Sequence, residues 1–249
     1  MLARMPDRSL FELEFSTEWG YERRFFLDNE HRYTKMHRLL RDRYGGLAGK
    51  RILDLGSSRG LLLARFPDSE RVGIEIDPEE RERGAPHVDA VEHFINAFDG
   101  NRMVARLPFE DDSVDVVLAG EIIEHIVDTQ GFLRDIARVL RPGGALVLTT
   151  PNILWWKHRL ALLAGRYPDA LDYRLRYGDD FGHVRAFSPA KIRELLADAG
   201  FVDVEVIGKR LGPISSLSST PKPVAHGLDR LADRMPNLSD HVVAFGRQP

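Results

Sequence analysis

The sequence lacks several features that would define whole classes of protein. None of its 249 residues is cysteine, so it has no disulfide, cysteine nucleophile, thiolate zinc site or cysteine-ligated iron–sulfur cluster. Its 35 Lys+Arg against 38 Asp+Glu give a net charge of −3, without the basic excess typical of proteins that coat nucleic acid. No apolar run approaches the roughly 20 residues that span a bilayer, and the N-terminus lacks a signal-peptide pattern. We therefore expect a cytoplasmic protein with no nucleic-acid partner.

Short apolar stretches alternate with amphipathic ones from Lys50 onward. This alternation, with near-continuous apolar strands, predicts a parallel β-sheet covered by helices on both faces. Strands are predicted at KRILDLG, RVGIEID, SVDVVLAG, ALVLTTP, FVDVEVIG and HVVAFGR. Helices are predicted at Tyr33–Tyr44, in SSRGLLLARFP, from Asp77, at Gln130–Leu140, in AKIRELLADAG after the N-cap Ser188, and near 224–234, with a turn at Arg141–Gly144. We expect a helical leader over residues 1–49 and a main domain over 50–249, with residues 152–187 as an insertion.

The first strand ends in ILDLGSSRG, where Gly56 permits a tight turn and a close approach of a ligand to the backbone. Glu75 ends the second strand, about 20 residues on, where a carboxylate can accept hydrogen bonds from a ribose diol. The turn is not the G-x-G-x-x-G of NAD or FAD proteins, and Asp54 would repel a pyrophosphate. The pattern predicts a nucleoside ligand that carries an ammonium group, and leaves a nicotinamide-dependent oxidoreductase as the weaker alternative.

Five segments follow one another along the chain in the order ILDLGSSRG, VGIEIDP, LPFEDDSVDVVLAGEIIEHI, LRPGGALVLTTPN and FSPAKIRELLADAGF. In these segments and their order, the chain resembles the class I S-adenosylmethionine-dependent methyltransferases, of the small-molecule, type 11-like branch. The resemblance implies a three-layer, Rossmann-like α/β sandwich with a seven-stranded, mostly parallel sheet in which one strand, HVVAFGR, is antiparallel. It implies S-adenosyl-L-methionine as the cofactor. It assigns cofactor contacts to Asp54, Gly56, Ser57, Ser58, Gly60, Glu75, Ile76, Asp77, Gly120 and Glu121, and to the backbone near Ala105.

The segment GEIIEHI follows the central strand and is expected to face the transferred methyl group. An alcohol acceptor needs a base, and histidine titrates near neutral pH. His125 is the first candidate, with Glu121, Glu124 and His183 beside it and His158 as a weaker one. The alternative is that the Glu-His pair only holds its loop by hydrogen bonds. No metal site is predicted, because Asp111 and Asp112 fit solvated turn residues better than ligands.

The insertion at residues 152–187 follows the predicted strand ALVLTTP and lies where substrate-selecting segments tend to lie. Its WWKHR run could line a pocket, contact a membrane surface peripherally, or simply pack in a helix. By analogy with similar insertions we expect a small-molecule, sugar or glycan, or lipid-linked acceptor, methylated at oxygen by in-line displacement. Methylation at nitrogen or carbon, and cofactor binding without catalysis, remain the alternatives.

Overall fold

A computed structural model describes residues 20–75, 82, 90–92, 98–99, 102–103, 106–168, 183–211 and 222–249. Side chains are described for residues 31–75, 82, 106–168, 183–211 and 227–249. The strands are β1 (Arg51–Leu55), β2 (Glu70–Ile74), β3 (Ala90–Glu92), β4 (Phe98–Asp99), β5 (Arg102–Met103), β6 (Val114–Gly120), β7 (Leu140–Pro151), β8 (Val202–Gly208) and β9 (His241–Arg247). The helices are α1 (Gly20–Arg43), α2 (Thr129–Val139), α3 (Trp156–Leu163), α4 (Pro189–Asp198) and α5 (Lys222–Arg234).

Seven strands form one sheet in the order β3-β2-β1-β6-β7-β9-β8, and β4 and β5 form a separate antiparallel pair. β9 runs antiparallel to both β7 and β8, whereas the other neighbouring pairs are parallel. The predicted three-layer, mostly parallel sheet with a reversed HVVAFGR strand is therefore confirmed. In such a sheet the carboxyl ends of β1, β2, β6 and β7 meet at one edge, where ligands bind in open α/β folds.

Two apolar cores cover the two faces of the sheet. One contains the buried side of α2, including Phe132, Leu133 and Ile136, together with Ile192 and Leu196 of α4. The other places α1 against the opposite face. Helix α4 begins as predicted, since the side chain of Ser188 accepts a hydrogen bond from the N–H of Lys191. Helix α2 begins at Thr129, one residue before its predicted start, and the side chain of Asp128 caps it by accepting from the N–H of Gly131.

The helix predicted in SSRGLLLARFP is wrong. After β1 the chain forms turns and only a short 3₁₀ segment, Leu63–Arg65. Ser58 and Gly60 both have positive φ, at 45° and 71°, which interrupts a right-handed helix near its expected start. The loop after β1 is therefore a compact turn and not the N-terminus of an α-helix.

Two other predicted boundaries shift. The first helix begins at Gly20 and not at Tyr33. The Arg141–Gly144 segment is a bulge within β7, since Val114 pairs with Leu140 and Val116 with Ala145. Gly143 has φ +77° there, so a turn-like backbone is retained inside the strand.

Helix α1 is tied to the C-terminal part of the chain by charged side chains. Lys35 Nζ lies 2.6 Å from Asp233 Oδ1, and Arg38 Nη2 lies 2.7 Å from Asp233 Oδ2. His31 Nε2 donates to the carbonyl of Lys209 at 3.0 Å. These contacts hold the adjacent Arg32 at the edge of the sheet where the strands β1 and β6 end.

Candidate active site

The loop after β1 is fixed by backbone hydrogen bonds and by one carboxylate. The N–H groups of Gly56 and Ser57 donate to the carbonyl of Ile74 at 2.9 and 3.0 Å. The N–H of Ser58 donates to Glu75 Oε2 at 2.8 Å. Gly56 has φ +71°, which strains a residue with a side chain, and a Cβ there would lie 2.4 Å from Ile122 Cδ1 and require Ile122 to move, so glycine is favoured at this turn.

The end of β6 is held in an unusual backbone conformation. Glu121 has φ +57°, which is costly for a residue with a side chain and is often found at functional sites. Its Oε1 accepts a hydrogen bond from Thr149 Oγ1 at 2.6 Å, and its Oε2 accepts from His241 Nε2 at 3.2 Å. Arg32 Nη1 approaches Oε1 at 3.6 Å. Glu121 is thus fixed by partners from β7, β9 and α1.

Two carboxyl groups at this edge have opposite pKa shifts. Burial raises the pKa of Asp54 to about 8, with a further contribution from Glu75 and an opposing one from Arg32. Burial would also raise the pKa of Glu121, but His241 and Arg32 outweigh it and hold that pKa below its usual range. In the ligand-free protein at neutral pH, Asp54 is therefore mostly protonated and Glu121 is ionised.

His241 is the cationic partner of Glu121. Burial and the nearby Lys209 act to lower the pKa of His241, but Glu121 and Asp240 outweigh them and raise it to about 9. Asp240 itself is buried beside Arg210, whose Nη2 lies 2.6 Å from Asp240 Oδ2. The ion pair between His241 and Glu121 is thus part of a buried charged network under the site.

Glu124, His125 and His183 form a second group beside Glu121. Glu124 and His125 belong to a 3₁₀ turn, Ile123–His125, that follows β6. The backbone carbonyl of Glu124 accepts hydrogen bonds from the N–H groups of Val184 and Arg185, which brings His183 to this turn. The imidazole rings of His125 and His183 are edge-on, with centroids 5.0 Å apart.

The carboxyl group of Glu124 is almost fully buried, at 1% exposure. Thr150 Oγ1 donates to its Oε2 at 3.1 Å. Burial, and then the charge of Glu121, raise the pKa of Glu124. A carboxyl group with a raised pKa beside two imidazoles can hold or relay a proton near neutral pH.

The structure brings together many of the residues expected to share the site. Asp54, Gly56, Ser57, Ser58, Gly60 and Glu75 lie on or beside the β1 and β2 ends, and Gly120, Glu121, Glu124, His125 and His183 lie at or near the β6 end. His158 does not join them, because it is buried in helix α3, with its Nδ1 3.1 Å from the carbonyl oxygen of Asn152. Ile76, Asp77 and Ala105 lie outside the described residues.

Sequence reasoning missed four residues that contribute to the site. Thr149 and Thr150 lie near the carboxyl end of the otherwise apolar strand β7, and this change to polar side chains was a usable signal. His241 begins a strand that runs in reverse, so its amino end reaches the edge formed by the carboxyl ends of the others. Arg32 left no such signal, because its place depends on where α1 docks.

The chain matches the family model of a methyltransferase domain over residues 29–206. A Mycobacterium tuberculosis protein named "Probable S-adenosylmethionine-dependent methyltransferase" is 31% identical over 188 residues, which are 75% of this chain and 62% of that protein. A ubiquinone biosynthesis O-methyltransferase of Rhodopseudomonas palustris is 33% identical over 121 residues, or 49% of this chain and 47% of that enzyme. The chain thus spans less than two thirds of the length of these relatives.

Among solved structures, an S-adenosylmethionine-dependent methyltransferase from Thermotoga maritima has the same fold, with a TM-score of 0.62. It is 18% identical, and the alignment covers 92% of this chain and 94% of that one. No helix in the described segments combines the length and apolarity needed to cross a membrane. The family model, the relatives and the fold agree, and the chain belongs to the class I S-adenosylmethionine-dependent methyltransferases.

Proposed function

We propose that this protein transfers a methyl group from S-adenosylmethionine to a hydroxyl oxygen of a small molecule, a glycan or a lipid-linked acceptor. The carrying observation is the arrangement at one sheet edge of a buried acid (Asp54), a loop-bound acid (Glu75) and a Glu-His-His group. We further propose a cytoplasmic location, and acceptors that are not nucleic acids.

The loop and the β1 end fit the cofactor. The carboxyl group of Asp54 is 3% exposed, and its burial raises its pKa to about 8, so a ligand ammonium would stabilise its charged form. Glu75 is held by Ser58 at the position from which a carboxylate can accept from ribose hydroxyls. The Arg32 guanidinium beside Glu121 is suited to the carboxylate of the same ligand.

The bound cofactor supplies an electrophilic methyl group on a sulfonium, so the protein's share of the work is binding and alignment. Asp54, Glu75 and the Gly56 turn would hold the two ends of the cofactor. His125 and His183 would take the proton of an acceptor hydroxyl, while Glu124 orients them. Alignment of the acceptor oxygen behind the methyl group can lower the barrier by roughly 7–11 kcal/mol in favourable cases.

Oxygen is favoured as the acceptor atom because a hydroxyl is the acceptor that needs the bases found here. An amine needs only to be unprotonated, and a carboxylate needs no base. The O-methyltransferase named among the relatives is compatible with this choice, although it matches about half of this chain.

The test has two stages. Calorimetry should show binding of S-adenosylhomocysteine, and a panel of phenols, sugars and amphiphilic alcohols should then be screened for formation of S-adenosylhomocysteine from the methyl donor. Failure to bind the cofactor product would refute the proposal. Binding without turnover on this panel, with turnover on amines, would refute the assignment to oxygen.

A further inference from the structure

One carboxylate and two imidazole groups lie close together beside the end of β6, on Glu124, His125 and His183. One potential ligand atom from each residue lies within 4.8 Å of those of the other two. Ligand atoms about 2.1 Å from a common ion would lie roughly 3–4 Å apart, so small side-chain rotations would complete the set.

The backbone holds these three side chains together across 59 residues of sequence. The carbonyl of Glu124 accepts from Val184 N–H at 2.9 Å and from Arg185 N–H at 3.1 Å. The Arg185 guanidinium Nε in turn donates to the carbonyl of Val127 at 3.1 Å. The 183–185 segment is therefore clamped onto the turn that carries the other two ligands, which is the rigidity that a binding site requires.

The second oxygen of Glu124 is an independent indication. Oε2 is satisfied by Thr150, whereas Oε1 is buried and has no hydrogen-bond partner among the described residues. A buried, unpartnered carboxylate oxygen is costly, and such atoms in native structures often point to a missing ion or ligand. This carboxylate is also the one that stands with the two imidazoles.

Glu121 is not part of this set. Its Oε1 accepts from Thr149 and its Oε2 from His241, and Arg32 lies beside it. The three grouped residues therefore offer two nitrogens and one carboxylate, which is a donor set of catalytic zinc sites and leaves a coordination position open. Mg²⁺ and Ca²⁺ prefer oxygen ligands throughout and fit this set poorly.

We propose that Glu124, His125 and His183 bind one divalent metal ion of the Zn²⁺ type. The oxygen of the methyl acceptor would take the coordination position that these three ligands leave open. This departs from the sequence expectation of no metal site, and its catalytic part rests on the proposed O-methylation. The ion would favour the deprotonated hydroxyl, in place of a histidine base.

Methyl transfer to an alcohol acceptor breaks one O–H bond and one carbon–sulfur bond and forms one carbon–oxygen bond. The acceptor O–H would release its proton to solvent water, and the acceptor oxygen would form a bond to the methyl carbon. The carbon–sulfur bond breaks with its electron pair on sulfur, which leaves neutral S-adenosylhomocysteine. No oxidant or reductant is consumed.

The test uses the full chain without an affinity tag, freed of metal by a chelator. Calorimetric titration with ZnCl₂ should show one site per chain, and titration with MgCl₂ should show much weaker binding. Co²⁺ should give visible absorption bands of a low-coordinate site with nitrogen ligands. Glu124→Gln and His183→Ala should each weaken Zn²⁺ binding by at least about tenfold.

His37→Ala is the matched control, because His37 lies on α1 against Phe66 and outside the site. Its Zn²⁺ affinity should equal that of the wild type. Absence of a stoichiometric site, equal affinity in Glu124→Gln and wild type, or a Co²⁺ spectrum like that of the hydrated ion would each overturn the metal site. The Co²⁺ spectrum of the wild type keeps the test decisive even where a variant misfolds.

Titration with S-adenosylhomocysteine separates this inference from the proposed function. If the protein bound S-adenosylhomocysteine but had no Zn²⁺ site, the proposed metal site would be overturned and the proposed function would not. Zn²⁺ binding with the expected variant pattern, in a protein that does not bind S-adenosylhomocysteine, would support the ion site and overturn the proposed methyl transfer.

Discussion

The ends of β1 and β6 lie side by side in the sheet, and each presents a carboxyl group at the same edge. Among the described residues, the cation that acts on Asp54 is Arg32, which Glu121 shares, and burial raises the pKa of Asp54 to about 8. Glu121 has His241 and Arg32, and its pKa stays below the usual range. Burial acts on both groups in the same direction, so the partners decide which one is charged.

The difference indicates what each region is prepared to bind. The β6 end is neutralised from within the chain, which makes it a fixed part of the scaffold. The β1 end carries the buried acid Asp54, which would ionise near neutral pH only when a positively charged group binds beside it. A ligand ammonium would supply it, and binding of such a ligand near neutral pH would release the proton of Asp54.

Glu121→Gln should have the largest effect, because it removes the charge that balances buried His241 and Arg32. We expect a loss of roughly 3–5 kcal/mol in the free energy of unfolding, measured by urea denaturation at pH 7. Glu205→Gln, which removes an ion pair of Arg43 in an exposed position, is the control and should cost little. If both variants lost the same small amount, the β6 end would not be a charge-balanced scaffold.

Asp54→Asn should increase the free energy of unfolding of the ligand-free protein, whereas Glu121→Gln should decrease it. Because the folded-state pKa of Asp54 is raised, the folded state keeps a proton that the unfolded chain releases above about pH 4. The corresponding contribution to stability is lost as the pH rises from about 4 through about 8.

The variant should therefore gain roughly 2–4 kcal/mol over the wild type at pH 8 and much less at pH 5. Thermal unfolding of both proteins from pH 5 to pH 9 measures this difference in stability. The contributions of the other titrating groups cancel, because both proteins contain them. A gain that did not depend on pH would mean that Asp54 is ionised throughout.

Glu75→Ala examines the neighbouring acid, which is held by the β1 loop. We expect S-adenosylhomocysteine to bind more weakly by roughly 1–3 kcal/mol, through lost charged hydrogen bonds to the ribose. Glu70→Ala changes the same residue type at the opposite, amino end of β2, where Glu70 pairs with Arg51 at an exposed position. Calorimetry that gave equal affinities for the two variants would show that the ribose lies elsewhere.

Ser58→Gly should have the smallest effect. Like Glu121, Ser58 has a positive φ, at 45°, but it lies in a turn that glycine could adopt at lower cost. We expect a stabilisation of about 0.5 kcal/mol, measured by denaturant unfolding, with the Ser58 N–H bond to Glu75 retained. A clear destabilisation would show that the serine side chain itself holds the loop.

The sequence was sufficient for the sheet because its strands are apolar and bounded by clear turns. Asp54 and Glu75 could be placed at adjacent strand ends, since parallel strands share an edge. The helix after β1 was wrongly predicted because Gly60 and Ser58 adopt left-handed conformations that apolar periodicity cannot reveal. The pairing of His125 with His183 was only a conjecture from sequence, since it depends on backbone hydrogen bonds between segments nearly 60 residues apart.

The contacts that hold α1 have a consequence for how this protein is made. Lys35 is joined to Asp233 across 198 positions of the sequence, and His31 to Lys209 across 178. Arg32 can take its place only after α5 has been synthesised. The cofactor cleft of a nascent chain stays incomplete until then, and slow closure of such distant contacts should limit the rate at which the cleft forms.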